Sequence, residues 1–99
     1  MIKQVHIFVV GDVTGVGFRA WTKIQAKFHD VHGWIRNIHD RPDVHGQSGG
    51  VEMVLQGQEK DVTDLVELVK QGPSISRVED MRIMNQSVKE IFDSFEITK

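Results

Sequence analysis

The alternation of apolar and polar positions divides the first forty residues into a strand, a helix and a second strand. The β-branched and aromatic run Val5–Val10 predicts a strand that is largely buried. After a glycine-rich loop, an amphipathic helix is predicted over residues 18–31 and ended by Gly33, with an apolar stripe formed by Phe18, Trp21, Ile24 and Phe28. A second strand is predicted at Trp34–His39.

The next strand, Val51–Gln56, follows after a polar connection of turn-forming residues that is too short to hold a helix. These two strands should therefore pair antiparallel, because a parallel pair needs a crossover of a dozen or more residues. A second helix is indicated by four apolar residues at helical spacing, between an acidic start and Gly72-Pro73. Its stripe consists of Val62, Leu65, Val66 and Val69.

The last part of the chain predicts a strand over Ile75–Met84, a polar turn over Asn85–Lys89 and a short final strand over Phe92–Ile97. The complete order is strand, helix, strand, strand, helix, strand, with a short tail strand. This order is that of the ferredoxin-like split βαβ arrangement, an α+β sandwich. Each helix has one apolar stripe, so both should cover the same face of a mainly antiparallel, four-stranded sheet. We expect residues 1–99 to form one domain.

Charge and cysteine content narrow the function classes. Twelve Lys and Arg against 14 Asp and Glu give a net charge of −2, which disfavours general nucleic-acid binding. The chain has no cysteine, which excludes disulfides, thiolate metal sites and a cysteine nucleophile. The N-terminal apolar run is too short for a signal segment or a membrane span. We therefore expect a cytoplasmic protein without membrane attachment.

The loop Gly11–Arg19 contains the most informative chemistry in the sequence. Gly15 and Gly17 allow successive backbone N–H groups to converge on one anion, and the loop leads into a helix whose first N–H groups lack partners. The guanidinium of Arg19 is suited to grip two phosphate oxygens at once. From these residues alone, an equally good interpretation is a turn that packs the strand tightly on the helix, with Arg19 in solvent.

Two sharper phosphate motifs are excluded. No lysine follows the last glycine of the loop, so the Walker pattern fails. The segment Gly15–Ala20 fits the dinucleotide pattern formally, but the next strand turns into a hairpin and does not build a βαβ unit.

The loop nevertheless resembles the signature loop of the acylphosphatase family, and Gly33–Asn37 resembles the second motif of that family at the expected separation. Val54–Gly57, Gly72-Pro73 and Phe95–Ile97 are similar to its later landmarks, so the likeness covers nearly the whole chain. The resemblance implies hydrolysis of small-molecule acyl phosphates to a carboxylate and inorganic phosphate, by a monomer without metal or cofactor.

The resemblance also assigns the site residues. Arg19 would bind the phosphate and Asn37 would orient the attacking water. The phosphate-binding segment would consist of Val13, Thr14, Gly15, Val16, Gly17, Phe18 and Arg19. Thr14 replaces the glutamine usual in the family, which leaves only its backbone N–H for the anion, and the hairpin loop Arg41–Gly49 is longer than usual.

Other interpretations are kept open beside this one. A non-catalytic phosphoanion-binding or protein-interaction module could use the same fold and the same Arg19. His29 and His32 are close enough in sequence to share a metal ion, but no motif accompanies them, so we expect surface histidines. Trp21, Phe28 and Trp34 are expected in the core. An RNA-recognition module is excluded because Val51–Gln56 has no aromatic residue.

Overall fold

The computed structural model describes residues 1–39 and 49–98. It contains five strands and two helices among these residues, in the predicted order. The strands are β1 (Ile2–Asp12), β2 (His32–Ile38), β3 (Gly50–Gln58), β4 (Arg77–Gln86) and β5 (Phe95–Ile97), and the helices are α1 (Phe18–Phe28) and α2 (Glu59–Gln71). The predicted ferredoxin-like α+β fold is confirmed. Apart from Gly49, the predicted long loop Arg41–Gly49 lies outside the described residues.

The strands form one mixed sheet in the order β4-β1-β3-β2-β5. β3 is antiparallel to both of its neighbours, β1 and β2, as the predicted hairpin requires. The tail strand β5 adds to the edge of the sheet parallel to β2, with Ile35 opposite Ile97. Since β1 and β2 both run antiparallel to β3, their carboxyl ends meet at the same end of the sheet, where Val10 and Ile38 both face Gly50.

Helix α1 buries only part of the predicted apolar stripe. Its buried residues are Phe18, Thr22 and Ala26, whereas Ile24 is 54% exposed and Phe28 is 80% exposed. The spacing of four residues is helical, but two of the three members, Thr22 and Ala26, are small, and Thr22 is polar. Thr22 remains compatible with burial because its hydroxyl donates to the carbonyl of Phe18 at 2.8 Å.

Helix α1 also ends three residues before the predicted boundary. Asp30 adopts a left-handed conformation with φ 55°, which reverses the chain after Phe28. Gly33 is therefore not the helix stop. It belongs to β2, where its φ is 139° and a Cβ would lie 1.9 Å from the carbonyl oxygen of Val54. Only glycine permits β2 and β3 to approach at this point.

Helix α2 matches the sequence prediction closely. Val62, Leu65 and Val69 are completely buried, and Val66 packs at the edge of the core. Glu59 and Asp61 lie in the first turn, where a negative charge interacts favourably with the helix dipole. The helix ends at Gly72, which has a positive φ of 67°.

The core lies between the two helices and one face of the sheet. That face presents alternate strand residues, namely Val5, Ile7, Val9, Ile35, Val51, Met53 and Leu55. Trp21 packs partly against this core. Trp34 does not, which corrects the sequence prediction: it lies on the opposite face, half-buried, beside His6 and under the guanidinium of Arg36.

The segment between β4 and β5 is fixed by a buried amide. The side chain of Gln56 donates to the carbonyl of Glu90 at 2.8 Å and accepts a hydrogen bond from the N–H of Phe92 at 2.9 Å. The ring of His32 contacts the carbonyl of Phe92 at 2.9 Å, and the N–H of Gly33 donates to Ser94 at 3.0 Å. These bonds hold β5 in place along β2.

Candidate active site

A bulge at the end of β1 directs the chain into the glycine-rich loop. Val10 faces Asp80 of β4 while Gly11 faces Val78, so one residue of β4 is passed over at this step. Gly11 has a φ of 139°, and a Cβ there would lie 2.1 Å from the carbonyl oxygen of Arg77. The glycine is thus required for β1 to remain paired with β4 up to the start of the loop.

Gly15 and Gly17 have a different reason to be glycine. Their φ values are 73° and 77°, in the left-handed region, yet a Cβ on either would meet no atom within 4 Å among the described residues. The backbone conformation, and not crowding, therefore requires glycine at both positions. The space beside them is open, so a ligand could reach the backbone of the loop.

The loop offers a series of N–H groups for hydrogen bonding. The first helical bond runs from Trp21 to the carbonyl of Gly17 at 2.9 Å. Among the described residues, the N–H groups of residues 14–20 donate to no protein carbonyl. Unsatisfied donors at the start of a helix bind anions well, because the helix dipole also favours negative charge.

A small cavity lies against this series of donors. Its volume is about 170 Å³, several times the roughly 30 Å³ of one water molecule in the liquid. The lining residues are Val13, Gly15, Gly17, Phe18, Arg19, Ala20 and Ile97. Five of the seven residues predicted to bind phosphate therefore meet at one cavity. Phe18 also packs into the core, which fixes the start of the helix.

Arg19 is half-buried in the first turn of α1, and its guanidinium contributes a positive charge to the lining of the cavity. No ion pair or side-chain hydrogen bond joins it to another residue in the described part of the chain. Sequence reasoning missed Ala20 and Ile97 as lining residues. Ile97 could not be found from local pattern, because it reaches the cavity only through the parallel pairing of β5 with β2.

Thr14 lies on the other side of the loop. Its hydroxyl oxygen is 3.6 Å from the position that a Cβ on Gly49 would occupy, so the side chain faces the start of β3. Thr14 and Val16 are both half-buried and do not line the cavity. Their possible contribution to anion binding is therefore the backbone N–H alone.

The strand register brings Asn37 to the same end of the sheet as the loop. Asn37 of β2 and Val9 of β1 both face Val51 of β3. Residues paired in this way share a face of the sheet, so the Asn37 side chain points to the helix-covered side, about 10 Å from the end of β1 across two strand spacings. Asn37 thus shares with the loop both an end and a face of the sheet.

The amide oxygen of Asn37 differs from the other buried side-chain polar atoms among the described residues in its lack of a hydrogen-bond partner. Oδ1 is buried, and it has no hydrogen-bond partner among the described residues. An unpaired buried acceptor costs about 1–3 kcal/mol and needs a specific reason. The atom could accept a hydrogen bond from a water molecule or a ligand held between β2 and the loop.

The metal interpretation of the histidines finds no support in the arrangement of side chains. Within residues 1–39 and 49–98, no group of three or more His, Cys, Asp or Glu side chains is placed to hold an ion. His32 contacts the carbonyl of Phe92 through Nδ1 and lies 3.6 Å from Asp30 through Nε2.

Of the two helices described, neither is long and apolar enough to cross a membrane.

Comparison with known proteins gives one consistent result. A profile described as Acylphosphatase matches residues 5–97. A protein named Acylphosphatase from Syntrophus aciditrophicus is 37% identical over 97 residues, which cover 98% of this chain and 93% of that relative. One of the same name from Methanothrix thermoacetophila is 42% identical over 86% of each chain. The crystal structure of acylphosphatase from Bacillus subtilis superposes with a TM-score of 0.86 at 32% identity, over the full length of both chains.

Proposed function

Since the chain belongs to the acylphosphatase family and hydrolyses the carboxyl–phosphate bond of acyl phosphates, we propose that the loop 13–19 and Asn37 perform this reaction. The loop and Arg19 bind the phosphate, Asn37 holds the attacking water, and no metal ion takes part. The alternative function, a non-catalytic phosphoanion-binding or protein-interaction module on the same fold, is not favoured by these matches.

Phosphate binding follows from the donors at the cavity. The N–H groups of residues 14–20 have no protein acceptor in the described part of the chain, and five of these residues, among them Arg19, line the cavity. The guanidinium of Arg19 donates two parallel hydrogen bonds to phosphate oxygens and stays charged at any working pH. In phosphoryl transfer the charge is spread over three oxygens of the transferred group, so convergent donors stabilise the transition state.

Asn37 provides the position of the nucleophile. Its buried Oδ1 accepts a hydrogen bond from a water molecule that lies between β2 and the bound phosphate. A neutral amide suits this place because a carboxylate would repel the phosphate dianion. Alignment of a nucleophile with the scissile bond is a large part of catalysis where little proton transfer is needed.

The bond changes require no further catalytic group. The water oxygen forms the new bond to phosphorus, the phosphorus–oxygen bond to the acyl group breaks, and its electron pair leaves on the carboxylate. A carboxylate leaves without a proton because its pKa is about 4. The proton of the water passes to a phosphate oxygen. In keeping with this step, none of the described residues that line the cavity is an aspartate or glutamate.

The observation that carries the proposal is the unpaired Oδ1 of Asn37 at the same end and on the same face of the sheet as a loop of free N–H donors. The experiment is hydrolysis of benzoyl phosphate by the purified protein in excess chelator. We expect the rate to be unchanged by the chelator, because the proposed donors all belong to the protein. A rate that falls in chelator and returns when a divalent ion is added would contradict the proposal of a metal-free site.

We further propose that residues 1–99 act as one domain and as a monomer in the cytoplasm. The radius of gyration of 12.4 Å is close to the ~13 Å typical of a single domain of this length. The absence of cysteine fits a reducing compartment. Analytical ultracentrifugation tests the proposed monomer: we expect a mass near 11.3 kDa at all concentrations. A dimer that survives dilution would contradict the proposal of a monomer.

A further inference from the structure

A second and larger hollow runs along the outer flank of α1. Its volume is about 620 Å³, within the range of sites that hold small organic ligands. One wall is formed by α1 and the other by β5 with the residues before it. Ala26, Val31 and Phe95 at its base belong to the hydrophobic core, and Ile24 extends the apolar surface toward solvent. We call this hollow the α1–β5 groove.

The groove adjoins the phosphate cavity. Ala20 and Ile97 line both spaces, so the two hollows are neighbours that share part of their walls. The groove then follows β5 backward from Ile97 to Asp93. β5 lies parallel to β2, with Ile97 opposite Ile35 and Phe95 opposite Gly33, so the groove leads away from Asn37. In an in-line displacement the leaving group departs on the side opposite to the water.

The charges at the rim argue for an uncharged occupant. Lys23 and Lys27 stand on the helix side, Asp30 lies just after the helix, and Asp93 and Glu96 stand on the strand side. The three carboxylates are mixed with two lysines, so the rim does not select an anionic acyl group, while the base offers apolar surface. An alkyl chain fits such a surface, because burial of its methylene groups is favourable.

We propose that the α1–β5 groove is the subsite for the acyl group, and that the enzyme prefers acyl phosphates with a medium-length apolar chain. This inference rests on the proposed function, because it takes the loop 13–19 as the phosphate site. The residues that set the preference are those of the groove, chiefly Ile24, and not those that hold the phosphate.

The test is a chain-length series of acetyl, butanoyl, hexanoyl and octanoyl phosphate. We expect kcat/KM to rise about two- to fourfold for each added methylene, the upper value corresponding to the ~0.8 kcal/mol of full burial. A kcat/KM that is independent of chain length would overturn the proposal, since it would mean that the acyl group projects into solvent.

A pair of variants on the same helix separates the groove from general surface hydrophobicity. Ile24→Ser removes an apolar wall of the groove, and Phe28→Ser removes an exposed apolar side chain that does not line it. We expect Ile24→Ser to lower kcat/KM for octanoyl phosphate about tenfold and to leave acetyl phosphate unchanged. Phe28→Ser should change neither.

The outcomes distinguish the two proposals. Equal losses in both variants would overturn the groove proposal, and so would a loss in Ile24→Ser that is the same for acetyl and octanoyl phosphate. In either case, acetyl phosphate turnover by the unchanged protein would still support the proposed function. Absence of acetyl phosphate turnover by the folded protein would instead overturn the proposed function itself. Circular dichroism of each variant checks that it is folded.

Discussion

Replacing Arg19 by alanine is expected to weaken the binding of inorganic phosphate by about 2 kcal/mol or more, roughly thirtyfold in Kd. The reason is the loss of two charge-assisted hydrogen bonds at a half-buried position beside the cavity. The same bonds act on the transition state, so kcat/KM should fall by about a hundredfold or more. Isothermal titration with phosphate and benzoyl phosphate kinetics measure the two quantities.

Two further variants make this test specific. Arg19→Lys keeps the charge but loses the planar fork, and we expect it to recover only part of the affinity. Lys23→Ala removes the same charge from an exposed position one turn further along α1, outside the phosphate cavity, and should leave phosphate binding nearly unchanged. Equal losses in Arg19→Ala and Lys23→Ala would mean that net charge, and not the arginine fork, holds the anion. Unchanged affinity in Arg19→Ala would remove the residue from the site.

Replacing Asn37 by alanine is expected to lower kcat by about a hundredfold while the Kd for phosphate changes little. Misplacement of a nucleophile by about 1 Å costs on this scale, whereas phosphate binding relies on the loop. The free energy of unfolding should stay within about 1 kcal/mol of the original, because the variant deletes a buried acceptor that has no partner among the described residues. Urea unfolding, titration with phosphate and steady-state kinetics give the three values.

This combination separates a catalytic role of Asn37 from a structural one. A residue that supports the fold would lose stability and activity together, and a phosphate ligand would lose affinity and activity together. Asn37→Asp is the matched variant of equal size. We expect it to weaken phosphate binding as well as turnover, because its carboxylate faces the dianion. An Asn37→Asp variant with unimpaired phosphate affinity would place the side chain away from the anion.

The local patterns of the sequence predict the elements well where burial alone decides. The stripe of α2 is confirmed, because this helix covers the centre of the sheet with large aliphatic residues. The predicted stripe of α1 is wrong at Ile24 and Phe28, which are exposed to solvent. The helix buries Thr22 and Ala26 instead. Apolar periodicity does not identify a contact that is made by small or hydrogen-bonded residues.

The site divides in the same way. The conformations of Gly15 and Gly17 and the position of Arg19 at the start of a helix follow from local chemistry. The contribution of Ile97 and the unpaired state of Asn37 depend on the pairing of β2 with β3 and β5. These pairings join residues far apart in sequence, and strand register is not encoded in any one segment.

The position of β3 between β1 and β2 has a consequence for how the enzyme comes to be active. Residues 1–39 contain the whole loop and Asn37. However, Val9 and Asn37 do not pair with each other: each pairs with Val51 of β3, which follows both in the chain and sets the spacing between them. A fragment that carries all proposed catalytic groups would therefore lack the strand that spaces them. Insertion of a later strand between two earlier ones makes folding depend on contacts of large sequence separation, which slows it. Catalytic competence should thus emerge only once β3 has paired with both earlier strands.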